Sequence, residues 1–247
     1  MTADRPTIVA TCGGMKPGRR TDLEYGPLVL HAIERSGVSG RAPRVCQVDT
    51  AGGDQRFAQA QQDEAGRVAG IVTSHLTLFG MPNVDDVTEF LLDQDVVWVN
   101  GGSVVNLLAV WRAHGLPEVL AQVWRAGVVL AGGSAGAVCW HTGGTTTSFG
   151  PRPRPVTDGL AFVPYTCCVH YDSDPGRRPL YHRLVAEEQL TGGYAFDEGA
   201  GVVYVEGSGG VEVADVITDV EGHDAYRVER AVDGSVTETP LGARLLS

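Results

Sequence analysis

The chain has 247 residues, 43% hydrophobic and 20% charged, enough apolar content for one large globular domain with a sizeable core. Its formal net charge of -11 argues against non-specific binding to nucleic acid or acidic membranes. No run of about 18 apolar residues appears, so no membrane span is expected, and five cysteines without a C-x-x-C pair point to a reduced, cytoplasmic setting.

The first apolar stretch, Thr7 to Ala10, is too short for a signal-peptide core and reads as a strand. Further strands are expected at Arg44 to Val48, Gly70 to Ser74, Asp95 to Asn100 and Val128 to Ala131. Helical stretches lie between them: Leu23 to Ser36, Val84 to Leu92 with its cap at Pro82-Asn83, and Val104 to His114 after Gly101-Gly102-Ser103. Strands alternating with helices imply βαβ units, hence a mostly parallel sheet covered on both faces in a three-layer α/β/α arrangement. Such sheets place their sites beyond the carboxyl ends of strands. Gly143 to Thr157, with its Gly, Pro and Arg residues and its Thr run, reads as a surface loop. From about residue 211 the valine-rich alternation with Asp233-Gly234 reads as a short antiparallel appendix to a single domain whose core is about residues 5–210.

Residues 127 to 140 are the most informative. An apolar strand, Val128 to Ala131, stops at Gly132-Gly133-Ser134-Ala135-Gly136, and small helix formers follow. This is G-x-S-x-G in the strand-turn-helix context of a nucleophile elbow. The sharp turn would expose the Ser134 hydroxyl, and the Ala135 N–H at the start of the next helix would face a developing oxyanion. The competing reading is a tight turn in which Ser134 merely caps the helix.

A serine nucleophile needs a base. Among seven histidines, His170 stands out because it ends the run Val163 to Val169 and opens the polar turn Tyr171-Asp172-Ser173-Asp174. His141, seven residues past Ser134, would lie two turns along the elbow helix, and His182 reads as a surface residue among Arg177, Arg178 and Arg183. Gly101-Gly102, after its own strand, offers further N–H groups for the oxyanion. Cys167 and Cys168 precede His170 but alternate across a strand, and no ligand spacing suggests a metal. Cys12, just past the first strand, reads as packing before ligand lining.

Ala131-Gly132-Gly133-Ser134-Ala135-Gly136-Ala137, preceded by Val99-Asn100-Gly101-Gly102-Ser103 and followed by Val169-His170-Tyr171, resembles the peptidase E family of serine peptidases, relatives of aspartyl dipeptidase and cyanophycinase. The resemblance covers roughly residues 5–210. It implies a class I glutamine amidotransferase-like fold and hydrolysis of small peptides, with Ser134 as nucleophile, His170 as base, and Gly101, Gly102 and Ala135 around the oxyanion. The family's best-known activity is release of an N-terminal aspartate.

One departure concerns the acid. Aspartyl dipeptidases carry it in the loop after the elbow helix, yet residues 135–157 here contain no Asp or Glu. Cyanophycinase-like relatives use a glutamate downstream of the histidine, which makes Glu198 the first choice, followed by Asp197 and Asp172. Arg152, Arg154, Arg177 and Arg178 flank the expected site and are candidates for holding a substrate carboxylate. The reading calls for a small peptide substrate, no cofactor, no metal, no nucleic acid or membrane partner, and a monomer or homodimer. The alternatives are a catalytically impaired member that binds a small molecule or partner, and an amidase or esterase of specialised metabolism.

Overall fold

A computed structural model describes residues 3–247. In chain order come β1 (Thr7–Thr11), a hairpin of β2 (Met15–Pro17) and β3 (Leu23–Tyr25), α1 (Pro27–Arg35), β4 (Arg44–Val48), α2 (Arg56–Ala69) and β5 (Val72–Leu76). Then follow α3 (Val87–Leu92), β6 (Val96–Val99), α4 (Val104–Ala113), α5 (Leu116–Arg125), β7 (Val129–Gly133) and α6 (Ala135–Val138). The remainder is β8 (His141–Thr146), β9 (Arg154–Val156), β10 (Val163–Cys168), α7 (Arg177–Ala186), β11 (Gly193–Phe196), β12 (Ala200–Gly207), β13 (Gly210–Thr218), β14 (Ala225–Arg230), β15 (Val236–Pro240) and β16 (Arg244–Leu245).

Two large sheets result. The first is ordered β16-β13-β12-β1-β7-β6-β4-β5, and its β1, β7, β6, β4 and β5 run parallel. Those strands are runs of apolar residues because both sheet faces are covered. Ile8, Ala10, Val97, Val99 and Leu130 pack with α4 and α5, while the alternate residues Val9, Val96, Trp98, Val129 and Ala131 pack with α1. The second sheet is ordered β15-β14-β11-β10-β8-β9, with β8, β10 and β11 parallel. Cys167 faces the core shared with the first sheet and Cys168 faces α7, as strand alternation requires.

Several expectations are corrected. Gly143 to Thr157 is not one loop: β8 runs to Thr146 with Gly143 and Gly144 buried inside it, and β9 follows. These glycines serve close backbone approach. A Cβ at Gly144 would lie 1.8 Å from the Cys167 carbonyl oxygen, and one at Gly143 2.1 Å from that of Val156. The segment from residue 211 is no appendix, since β13 and β16 extend the first sheet and β14 and β15 extend the second. The elbow helix α6 has only four residues, so His141 opens β8 rather than riding on that helix; it is buried against Tyr204. The helix expected from Leu23 begins only at Pro27, and α3 is capped by Asp86 rather than Asn83. Helices α2 and α5 have no counterpart among the expected elements.

Candidate active site

The loop between β7 and α6 is shaped by crowding. A Cβ at Gly136 would lie 2.0 Å from the Val99 carbonyl oxygen, so only glycine lets α6 press onto β6. Ser134, between these segments, adopts φ 57° and ψ -111°, a strained conformation for a residue with a side chain. Its N–H donates to the Thr11 carbonyl at 3.0 Å, and its hydroxyl makes no capping bond. The hydroxyl is turned outward instead.

There it meets His170, at the end of β10. Ser134 Oγ lies 2.9 Å from His170 Nε2, and His170 Nδ1 is hydrogen-bonded to Glu198 Oε1. Nδ1 therefore carries the proton toward the carboxylate, which leaves Nε2 as an acceptor for the serine proton. Glu198 sits in the turn between β11 and β12. Its carboxyl is held down to about 2, first by the hydrogen bond with His170 and then by that with Ser173, against the opposing effect of burial. Ser173 Oγ donates to Glu198 Oε1 at 2.7 Å.

Asp172 and Asp197 serve other partners. Asp172 Oδ1 accepts the Glu198 N–H at 2.9 Å, so it positions the glutamate main chain. Asp197 Oδ2 accepts from Tyr226 Oη at 3.0 Å and from the Asp224 N–H at 3.2 Å. His223 Nδ1 donates to the Glu198 carbonyl at 2.7 Å.

Cys12, just beyond β1, touches both ends of this arrangement. Its Sγ accepts the His170 N–H at 3.2 Å, and its thiol donates to Glu198 Oε2 at 3.5 Å. Burial, then the charge of Glu198, pushes the thiol pKa well up, so the sulfur keeps its proton and acts as a donor. The contacts of Cys12, Ser173 and His223 were missed by sequence reasoning. The available signal was position: Cys12 follows a parallel strand's carboxyl end, and Ser173 lies in the polar turn after His170.

A cavity of about 240 Å³ opens beside Ser134, with Gly14, Met15, Trp98, Asn100 and Glu198 in its lining. Gly101 also lines it, and a Cβ there would lie 3.4 Å from Ser134 Cβ. The N–H groups of Gly101, Gly102 and Ala135 donate to no protein acceptor among the described residues. The arginines do not reach this cavity. Arg177 is buried, with its guanidinium donating to the Thr145 carbonyl at 2.7 Å and to Asp174 at 3.1 Å. Arg178 pairs with Glu238 across the rings of Tyr171 and Tyr226. Arg177 and Arg178, expected to hold substrate, thus lie outside the lining of this cavity and are engaged by other partners. Arg152 is exposed, and Arg154 lies over the Phe149 ring. His182 is only partly exposed and bonds Tyr171 Oη at 2.8 Å and Glu238 at 2.9 Å.

A mixed α/β fold that brings a hydroxyl, an imidazole and a carboxylate into one hydrogen-bonded row is the arrangement of a hydrolase site. The comparisons specify the class. The profile of Peptidase family S51 matches residues 18–211. The chain is 34% identical over 239 residues to the uncharacterized peptidase YgaJ of Bacillus subtilis (strain 168), covering 97% of this chain and 98% of that one. Its fold is similar to the crystal structure of a peptidase from an acI-B1 Actinobacterium, with TM-score 0.64, 17% identity and coverage of 96% and 93% of the two chains. It is also similar to a putative peptidase E protein from Listeria monocytogenes EGD-e, with TM-score 0.52, 20% identity and coverage of 73% and 87%. The chain belongs to peptidase family S51 and is a serine peptidase of the peptidase E type.

Proposed function

We propose that the protein hydrolyses small peptides or amides through an acyl-enzyme on Ser134, within a three-layer, class I glutamine amidotransferase-like domain. The observation that carries this reading is the 2.9 Å contact between Ser134 Oγ and His170 Nε2, with Glu198 on the opposite ring nitrogen. Ser134 Oγ attacks the carbonyl carbon while His170 Nε2 takes its proton. The N–H groups of Ala135 and of Gly101-Gly102 receive the negative charge that forms on the carbonyl oxygen. His170 then returns the proton to the leaving amine. A water molecule, deprotonated by the same nitrogen, releases the acid and restores the serine. Glu198 holds the ring tautomer and stabilises the imidazolium formed at each proton transfer.

A small substrate suits the cavity of about 240 Å³, which is below the roughly 300–1,000 Å³ of sites for drug-sized ligands. The carboxylate missing from the loop after the elbow gives no support to an impaired, merely binding protein, because Glu198 occupies the place beside the imidazole. The five free cysteines suit a cytoplasmic enzyme, acting as a monomer or homodimer. A fluorophosphonate probe tests the reading: wild type should be labelled and Ser134→Ala should not. A folded wild-type protein that resists the probe, with no cleavage in a dipeptide and amide library followed by mass spectrometry, overturns it.

A further inference from the structure

The polar groups around the Ser134 cavity have a definite character. No lysine or arginine lines it among the described residues, and its one carboxylate is Glu198. Lys16, next to Met15 of the lining, is held at 2.9 Å by Asp219, whose side chain is 1% exposed. Arg177 and Arg178 are committed elsewhere. The whole chain adds 30 acidic against 19 basic residues, a field that further disfavours anions.

Asn100 contributes a neutral amide to the cavity wall, and its orientation is fixed by its neighbours. Trp98 Nε1 can only donate, and it donates at 3.2 Å to Asn100 Oδ1. Asn100 Nδ2 therefore faces the interior and donates at 2.9 Å to Gln47 Oε1. Gln47 Nε2 in turn donates at 3.1 Å to Tyr25 Oη, whose hydrogen is left for Thr73 Oγ1 at 3.1 Å. Gln47 is fully buried, so the donor side of the Asn100 amide is spent inside the protein. The carbonyl oxygen sits at the edge of Trp98, which itself lines the cavity, with a lone pair to spare.

We infer that this cavity selects substrates whose residue at the scissile carbonyl is neutral or positively charged and presents a hydrogen-bond donor to Asn100 Oδ1, and that it discriminates against a side-chain carboxylate there. The inference rests on the Ser134 hydrolase reading and names its substrate class. A carboxylate brought into the cavity loses water, gains no cation, and meets Glu198 and the Asn100 oxygen, both acceptors. A free α-ammonium or a side-chain amide or hydroxyl meets the same two groups as a donor. Asn100 is thus a specificity-determining residue.

The dipeptides Asn–Leu and Asp–Leu have nearly the same shape and differ in charge, so they isolate this effect. At neutral pH, kcat/KM for Asn–Leu should exceed that for Asp–Leu by at least about tenfold. N-acetylation of Asn–Leu, which removes the ammonium donor, should lower kcat/KM. Equal rates, a preference for Asp–Leu, or no cleavage of either overturns the inference. Fluorophosphonate labelling separates the two levels: a labelled Ser134 with no Asn–Leu preference sinks the specificity alone, whereas an unlabelled protein sinks the hydrolase reading. Asn100→Ser should raise KM for Asn–Leu several-fold with kcat within about twofold. An unchanged KM in a variant with wild-type circular dichroism removes Asn100 from the account, and the wild-type comparison decides the charge effect whether or not the variant folds.

Discussion

Gly101-Gly102-Ser103 follows β6, and Gly132-Gly133-Ser134 straddles the carboxyl end of β7, so two neighbouring parallel strands lead into helices through the same tripeptide. At Ser103 the backbone is extended, with φ -86° and ψ 105°, and the hydroxyl accepts the Asn106 N–H at 3.2 Å as the cap of a ten-residue helix. At Ser134, φ is 57°, the hydroxyl caps nothing, and the helix has four residues. The cause lies outside the tripeptide. Val104 and Val105 follow Ser103, and an ordinary helix begins. Ala135 and Gly136 follow Ser134, and the absent Gly136 side chain lets α6 press onto the Val99 carbonyl while Thr11 takes the Ser134 N–H. The same serine is thus a structural cap on one strand and a free hydroxyl beside an imidazole on the next.

The largest expected effect breaks this comparison at its functional side. Ser134→Ala should lower kcat by roughly 10⁴–10⁶, and His170→Ala by about as much, with the double variant little worse because the pair acts as one unit. Thermal unfolding of Ser134→Ala should match or exceed wild type, since only an outward hydroxyl is lost from a strained turn. Turnover near the wild-type rate would return Ser134 to the role of Ser103.

The next effect concerns the two carboxylates near the imidazole. Glu198→Gln no longer favours the Nδ1–H tautomer and should cost roughly 10²–10⁴ in kcat, whereas Asp172→Asn, at a residue that receives the Glu198 N–H and lies 3.5 Å from His223 Nδ1 but does not touch the imidazole of His170, should cost less than about tenfold. Steady-state kinetics on both variants checks the ranking, and the reverse order moves the acid to Asp172. The sign of the pH dependence follows from Glu198 being held down from 4.5 to about 2. Its stabilising contribution is complete above pH 4.5 and is lost as pH falls toward 2. The stability advantage of wild type over Glu198→Gln should therefore be constant above pH 4.5 and shrink as pH falls toward 2, read from thermal melts across that range.

Much of this arrangement was legible in the sequence because its signals are local. An apolar strand running into G-x-S-x-G marks Ser134, and a histidine between an apolar run and a polar turn marks His170. The family resemblance was needed to single out Glu198 over Asp172 and Asp197, because the contacts that separate them join distant segments. Other features are equally non-local. Gly143 and Gly144 read as loop residues, yet they exist because β9 and β10 approach their backbone. The C-terminal strands read as an appendix, but β13 joins the first sheet through β12, which pairs with β1 as in Thr7 against Val205, and β14 joins the second through β11. Arg178 read as a substrate ligand because its partner, Glu238, lies on a strand 60 residues later.

A smaller effect sharpens the role of the strand that supports both turns. Cys12→Ala removes the donor to Glu198 Oε2 and the acceptor of the His170 N–H, and should lower kcat by about tenfold with KM little changed. Cys12→Ser, which keeps both hydrogen-bonding functions, should recover most of the loss. A packing role alone would instead give a kcat indifferent to the choice between Ala and Ser.

The smallest effect tests the structural side of the opening pair. Ser103→Ala deletes an N-cap and should destabilise the protein by about 1 kcal/mol. The substitution leaves Gly101 and Gly102 in place, and the Gly102 backbone, at φ 141°, is fixed by its approach to the Ala51 carbonyl rather than by the serine side chain. The Ser103 N–H still donates to that carbonyl, at 2.9 Å, because this bond belongs to the main chain. The cavity wall at Gly101 should therefore keep its shape, and kcat should stay within about twofold of wild type while the unfolding midpoint falls by a few degrees. Denaturant melts and kinetics on one preparation check both halves. A kcat loss approaching that of Ser134→Ala would mean that the Ser103 hydroxyl contributes to the chemistry, and the two turns would then share a function as well as a tripeptide.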